Sequence, residues 1–468
     1  HGALVIVTPE RGLTAKQDKQ LEEKLAAYKD SLTEQEVDAL VDATHQLVAY
    51  QESEERPEDM EKIPILSRSD ISRQITPIQN EEKNIDGTQV IYHDIDTNGI
   101  GYVDLSGVGA EELPYVGILQ AVLGLVDTKE YGYGELSNEI NMHTGGVETS
   151  IELYPDVTKV REKDFRATFE IKAKALYGKL PKAFEMMGEI LTQSKLDDEK
   201  RLKEILAMAK SRLQMRFQSA GHVTAAARAL SYSSPMSKFK DLTGGIGYYE
   251  VVKHIEEHFE EEKECLIATL QKLSKQLFCP DNLMLSFTAE QEGLGYMDDC
   301  VKDLKQRLYT EQVTETPCVL HLEKRNEGFQ TSSKVQYVAR AGNFADAGYE
   351  YTGAFQILRV ILGYEYLWQN VRVKGGAYGC MSSFSRLGEG YFMSYRDPNL
   401  EKTNAVYEGV PQYLRDFTVS ERDMNKYIIG TMSGIDRPLT PASKGNRSMN
   451  LYMNRVSEEM ILKERNEI

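Results

Sequence analysis

Apolar residues recur along this chain at two spacings, and the switching between them marks out its elements. Residues 4–8 (Leu-Val-Ile-Val-Thr) form a continuous apolar run that predicts a short strand, stopped by Pro9 and Gly12. Two helices follow. Thr14 is expected to cap the first, with Gln17 completing a capping box and Leu21, Leu25 and Tyr28 on one face. Thr33 and Glu36 do the same for the second, where Val37, Leu40, Val41, Thr44, Leu47 and Val48 keep the helical period. The stripes are narrow, so residues 1–62 read as a strand remnant plus a helical-hairpin linker, with 51–62 a linker by composition.

From about Ile63 the pattern becomes strand, strand, helix. Strands are expected at 88–94 and 100–106 with a turn at 96–99, then a helix from about 111 to 126. Further strands fall near 145–154 and 165–173, helices near 180–193 and 197–217, a long acidic helix at 249–277 and a strand at 283–288.

An internal repeat organises the rest. Tyr102–Gly107 resembles Tyr337–Gly342 at an offset of 235, and Ile118–Gly124 resembles Ile357–Gly363 at 239. The helix pair from Glu185 to Leu206 resembles Glu408 to Ile429 at 223. Three blocks in one order predict a duplicated α+β unit, each copy an antiparallel sheet covered by helices. The expected units are 63–310 and 311–468, with the boundary near 305–317.

Composition narrows the partners. The 468 residues carry 55 Lys+Arg against 73 Asp+Glu, a net charge of −18, which disfavours nucleic acid and anionic membranes. Residues 1–62 hold 15 acidic and 7 basic side chains, nearly half of that excess. No apolar run approaches the roughly 18 residues of a membrane span. Cys265, Cys279, Cys300, Cys318 and Cys380 are odd in number and widely spaced, which points to a reducing, intracellular and cytoplasmic setting. The chain opens at His1 and closes at Ile468 inside a helix-like run, so it reads as a piece of a longer protein.

Candidate chemistry is sparse. His254-Ile255-Glu256-Glu257-His258 fits the H-x-x-E-H pattern, in which two histidines one helical turn apart ligate zinc beside a glutamate base. Its flanks are those of a solvated, Glu-rich helix, and the downstream Glu323 and Glu327 fall in a strand-to-turn context, so the match is read as coincidence. His143 beside Gly145-Gly146 reads as turn chemistry, and Gly244-Gly245-Ile246-Gly247 lacks the Lys-Ser/Thr of a phosphate loop. Arg372-Val373-Lys374-Gly375-Gly376-Ala377-Tyr378 closes a long apolar helix from Phe355 to Trp368. There Arg372 could hold a carbonyl or carboxylate and Tyr378 could donate to an oxyanion. An equal alternative is a helix-end cation followed by a Gly-rich turn.

The runs 133–141 (Tyr-Gly-Glu-Leu-Ser-Asn-Glu-Ile-Asn), 335–344 (Val-Gln-Tyr-Val-Ala-Arg-Ala-Gly-Asn-Phe) and 371–379 (Val-Arg-Val-Lys-Gly-Gly-Ala-Tyr-Gly) together resemble the C-terminal half of presequence-protease-type metallopeptidases, of the insulinase and pitrilysin group. The resemblance implies four similar α+β units in two halves joined by a helical hairpin, closing around a peptide. It implies that zinc, with its H-x-x-E-H site and a distal Glu, belongs to the absent N-terminal half. It also implies that Arg372 and Tyr378 reach across to the substrate, and that this chain alone is inactive. The positions equivalent to the zinc helix read Tyr115-Val116-Gly117-Ile118-Leu119 and Ala354-Phe355-Gln356-Ile357-Leu358, with no ligand in either. The expected activity is zinc-dependent endoproteolysis of unstructured peptides by the full-length protein, with peptides and the N-terminal half as partners. The rival expectations are a non-catalytic insulinase-like scaffold or binding subunit, and a self-sufficient metalloprotease using His254, Glu257 and His258.

Overall fold

The computed structural model describes residues 8, 10–53, 56, 58–59, 62–64, 66–97, 100–107, 112–310 and 319–468, so the strand expected at 4–8 lies almost entirely outside them. They fall into two compact units, His1–Leu66 and Ser67–Ile468.

The first unit contains helices α1 (Leu13–Ser31) and α2 (Glu34–Glu52). Thr33 caps α2 as its sequence predicts: its hydroxyl accepts from Glu36 N at 3.3 Å, and Thr33 N donates back to Glu36 Oε2 at 2.8 Å. The Thr33 N–H and hydroxyl, both donating to Glu36 Oε2, hold that carboxyl below its ordinary range. Thr14 caps nothing. Gly12 takes the N-cap position in a left-handed conformation (φ 78°), which starts the helix two residues earlier and places Thr14 inside its first turn. The apolar stripe of α1 is uncovered, with Leu21, Leu25 and Tyr28 between 55% and 62% exposed.

The second unit opens with β1 (Glu81–Ile85), β2 (Thr88–Asp94) and β3 (Ile100–Gly107), then α3 (Leu113–Val122), α4 (Tyr133–His143), β4 (Val147–Pro155) and β5 (Phe165–Leu176). Helices α5 (Leu180–Gln193), α6 (Glu199–Ser219), α7 (Gly221–Leu230), α8 (Pro235–Gly244), α9 (Ile246–Glu257) and α10 (Phe259–Leu277) follow, before β6 (Met284–Ala289) and α11 (Met297–Arg307). The strands form one sheet in the order β1-β2-β6-β3-β5-β4.

Two expectations change here. β2 and β3 are not a hairpin, because β6 lies between them, parallel to β2 and antiparallel to β3. Every residue of β6 is buried, which only a central position allows, and burial outweighs the short local connection. The sheet is therefore mixed rather than antiparallel throughout. The real hairpin joins β1 to β2 through Asp86-Gly87, both at positive φ (49° and 80°), with Gly87 N donating to Asn84 Oδ1 at 3.0 Å. The expected 249–277 helix is also broken. His258 leaves helical geometry (φ −116°, ψ 33°), and the bend lets Ile255 on α9 and Phe259 on α10 both reach the core.

Alternation along the strands sorts the two faces. Val90, Tyr92, Phe169, Ile171, Leu285 and Phe287 face the helices and form the main core. The other face mixes apolar Ile91 and Met284 with buried polar side chains. His93 there is fully enclosed, with Nδ1 2.7 Å from the Gln79 carbonyl and Nε2 3.0 Å from Ser286 Oγ.

A second sheet forms from β7 (Ala339–Asn343), β8 (Gly379–Phe384) and β9 (Glu389–Tyr395), in the order β7-β9-β8. Helix α12 (Ala354–Ile361) lies between β7 and β8 in the chain, and α13 (Glu401–Asp416), α14 (Glu421–Ile435), α15 (Pro441–Met453) and α16 (Glu458–Glu467) follow β9. Met449 of α15 covers Ile91 and Met284 on the second face of the large sheet. The sequence repeats occupy corresponding elements: β3 and β7, α3 and α12, α5–α6 and α13–α14. The order β3-β5-β4 recurs as β7-β9-β8. Residues 311–318, at the expected boundary, lie outside the described residues.

Candidate functional site

The segment carrying Arg372 is not the uniform α-helix its apolar pattern predicts. After Ile361 the chain widens into two π-helical stretches, Leu362–Tyr366 and Trp368–Val373. Leu362, Leu367 and Val371 are the inward side chains, and their spacing of five then four residues fits the wider turn. Trp368 and Arg372, one turn apart, lie side by side at the surface. The winding ends with Lys374 N donating to the Gln369 carbonyl (2.9 Å) and Gly376 N to the Arg372 carbonyl (2.8 Å).

Gly375 and Gly376 are required by the turn. A Cβ on Gly375 would sit 2.9 Å from the Asn370 carbonyl and closer still to that of Val371, and Gly376 is left-handed at φ 80°. Asn399 Nδ2 donates to the Gly375 carbonyl at 2.6 Å, while the fully buried Asp397 accepts from Asn399 N (2.8 Å) and Thr403 Oγ1 (2.7 Å). Tyr378 N then donates to the Tyr395 carbonyl at 3.0 Å, which fixes the entry to β8.

Arg372 and Tyr378 are thereby brought together at the surface. Arg372 Nη1 donates to the Tyr378 carbonyl at 2.6 Å, and its guanidinium lies 4.2 Å from the Trp368 ring and 5.4 Å from that of Tyr378. The Tyr378 ring is 63% exposed and stands edge-on to Tyr395 at 5.7 Å. Burial pushes the neighbouring Cys380 thiol up to about 11, which leaves it a poor nucleophile.

Sequence reasoning missed the support behind this corner. Tyr395 packs against Tyr337 (5.8 Å) and against His222 of α7 (4.7 Å), and Tyr337 lies so close to Gly221 that no side chain fits there. Burial lowers the His222 pKa and keeps the ring neutral within the stack. The clue available in the sequence is the local crowding of tyrosines at 337, 378, 391 and 395, whereas nothing local links them to residue 222.

The H-x-x-E-H residues do not converge on a point. His258 lies beyond the end of α9 with Nδ1 3.0 Å from the His254 carbonyl, and the two imidazoles lie 4.6 Å apart, tilted by 34°. Glu257 lies 3.9 Å from Lys210, Glu323 pairs with Arg325, and Glu327 is engaged by Arg228. These residues do not fit zinc, and among the described residues no group of three or more His, Cys, Asp or Glu is placed to hold a metal. His143 ends α4 between Glu139 (3.5 Å) and Lys179 (3.1 Å), and Gly245 packs against Asp241 where α8 meets α9.

The sequence matches two family descriptions, the region associated with subfamily C of the M16 peptidases over residues 7–255 and the PreP C-terminal domain over 326–468. This chain belongs to subfamily C of the M16 peptidases. It corresponds to the C-terminal half of such a peptidase. It is 37% identical over its whole length to Protein HypA of Clostridium perfringens, of which it covers 48%. Over 96% of its length it is 30% identical to Presequence protease 1, chloroplastic/mitochondrial, of Arabidopsis thaliana, of which it covers 42%. The chain thus spans about half the length of the curated relatives it matches. Its fold resembles a peptidase M16 inactive domain from Pseudomonas fluorescens (TM-score 0.56, 12% identity, 83% of this chain and 90% of that one). A conserved protein from Enterococcus faecalis is similar to the same degree (TM-score 0.56, 13% identity, 83% and 93%). Cys265, Cys279, Cys300 and Cys380 are free thiols, and among the described residues no helix is long and apolar enough to cross a membrane.

Proposed function

We propose that this chain is the metal-free half of an intracellular, cytoplasmic zinc endopeptidase that degrades unstructured peptides inside a closed chamber. The duplicated units 63–310 and 311–468 form its wall, and residues 1–62 form the link to the N-terminal half. When bound in that half, zinc supplies a Lewis acid and an activated water. This chain's own part is recognition. Arg372 donates to a backbone carbonyl of the peptide and holds it beside the cut, while the Tyr378 phenol donates to the oxygen that becomes negative in the tetrahedral intermediate. The observation that carries this reading is the pairing of Arg372 with an exposed Tyr378 on one ordered corner, where Arg372 makes no ion pair among the described residues. An arginine whose donors are not spent on a carboxylate remains available to a ligand.

The test combines this chain with the N-terminal half and follows peptide cleavage. Tyr378→Phe should lower kcat by about 10²–10³, and Arg372→Gln should act mainly on KM. Undiminished turnover with Tyr378→Phe removes Tyr378 from the mechanism. A second reading, a non-catalytic scaffold subunit, draws on the likeness to the Pseudomonas fluorescens inactive domain. Absence of cleavage in the reconstituted pair, with stable association of the two halves, would favour it.

A further inference from the structure

The guanidinium of Arg372 is held by aromatic faces. The Trp368 ring lies 4.2 Å away and that of Tyr378 5.4 Å, with a single hydrogen bond to the Tyr378 carbonyl. A surface arginine without such restraint samples many rotamers, and that freedom is lost whenever a substrate is bound. An indole face attracts a guanidinium while leaving its in-plane N–H groups free to donate. A carboxylate in the same place would consume those donors. Trp368 itself is well anchored, since Leu367 and Val371 on either side of its turn are buried, yet the indole remains 39% exposed. Trp368 is also the only tryptophan of the chain.

Resting on the reading of Arg372 given above, we propose that Trp368 is a positioning residue. It fixes the Arg372 side chain in the orientation that offers its remaining donors to a peptide carbonyl, and so sets how tightly the peptide is held beside Tyr378. One turn apart on the helix, Trp368 and Arg372 share a face.

Two measurements test the proposal. In this chain alone, the Arg372 Nε–H and side-chain methylene resonances should be displaced upfield by the indole ring current. Trp368→Leu should abolish that displacement and Trp368→Phe retain part of it. In the intact polypeptide, Trp368→Leu should raise KM for an unstructured peptide about tenfold with kcat changed less than about threefold, and Trp368→Phe should recover most of the loss. Adding Trp368→Leu to Arg372→Gln should cost nothing further, because Trp368 acts only through Arg372. The proposal is overturned if the ring-current displacement is absent or if the two losses multiply. It is also overturned if Trp368→Leu cleaves normally while Arg372→Gln is impaired, an outcome that leaves the reading of Arg372 intact. Normal cleavage by Arg372→Gln itself would instead remove that reading and this proposal together.

Discussion

Arg228 shows how much a single side chain can organise. Its Nε and Nη2 donate to Glu327 at 2.7 and 3.1 Å, its Nη1 to the buried Asp241 at 2.5 Å, and Tyr232 donates to the same Glu327. The bidentate pair holds the irregular segment that precedes β7 onto α7 and α8. Bonding to Arg228 lowers the Glu327 carboxyl from 4.5 to about 2. A depressed carboxyl contributes stability above its unfolded pKa and loses it as pH falls toward the folded value. The tether should therefore hold at pH 5 and above and release between about pH 4.5 and 2. Limited proteolysis across residues 319–335 reads this directly: Arg228→Ala should bring fast cleavage at neutral pH, and equal rates in both proteins would refute the tether. The sequence displays Glu327 only as one more acidic residue, since its partner lies 99 positions away.

At the scale of the element, the π-wound segment and its glycine turn matter most. Leu367 is fully buried in the second sheet's core, so Leu367→Ala should cost about 2–5 kcal/mol. Gly376→Ala forces a side chain into left-handed backbone and should cost about 1–2 kcal/mol. Urea titration should show both as a lower midpoint with an unchanged slope, and a midpoint equal to wild type for Gly376→Ala would contradict the strain assigned to the turn. The apolar stretch 355–368 was legible as a helix, because one face of it is continuously apolar. The π register was not, although the five-residue step from Leu362 to Leu367 was its trace. Likewise the 249–277 helix is continuous by periodicity, and its bend at His258 follows from two helices having to meet one core.

For the whole molecule, the uncovered stripes of α1 and α2 are the feature with the widest consequence. Leu25, Leu40 and Leu47 are each more than half exposed, and apolar stripes of that kind mark interaction surfaces. If residues 1–62 link the two halves, Leu25→Asp together with Leu40→Asp should weaken association with the N-terminal half at least about tenfold while the fold of residues 67–468 is unchanged. Sedimentation of the reconstituted pair would show this, and undiminished association would sink the linking role. At this scale the three sequence blocks fall on one strand pair, one helix pair and one pair of helical hairpins.

What the sequence determined by itself is the identity of most elements and the Gly375-Gly376 turn between Arg372 and Tyr378. Caps, alternation and turns act between residues a few positions apart, which is why they are legible in the sequence. Tertiary structure alone decided that β6 separates β2 from β3, that His222 backs Tyr395, and that Arg228 secures Glu327. Those outcomes depend on which surfaces are buried on both sides once the chain has closed, a competition among distant segments that no local pattern records.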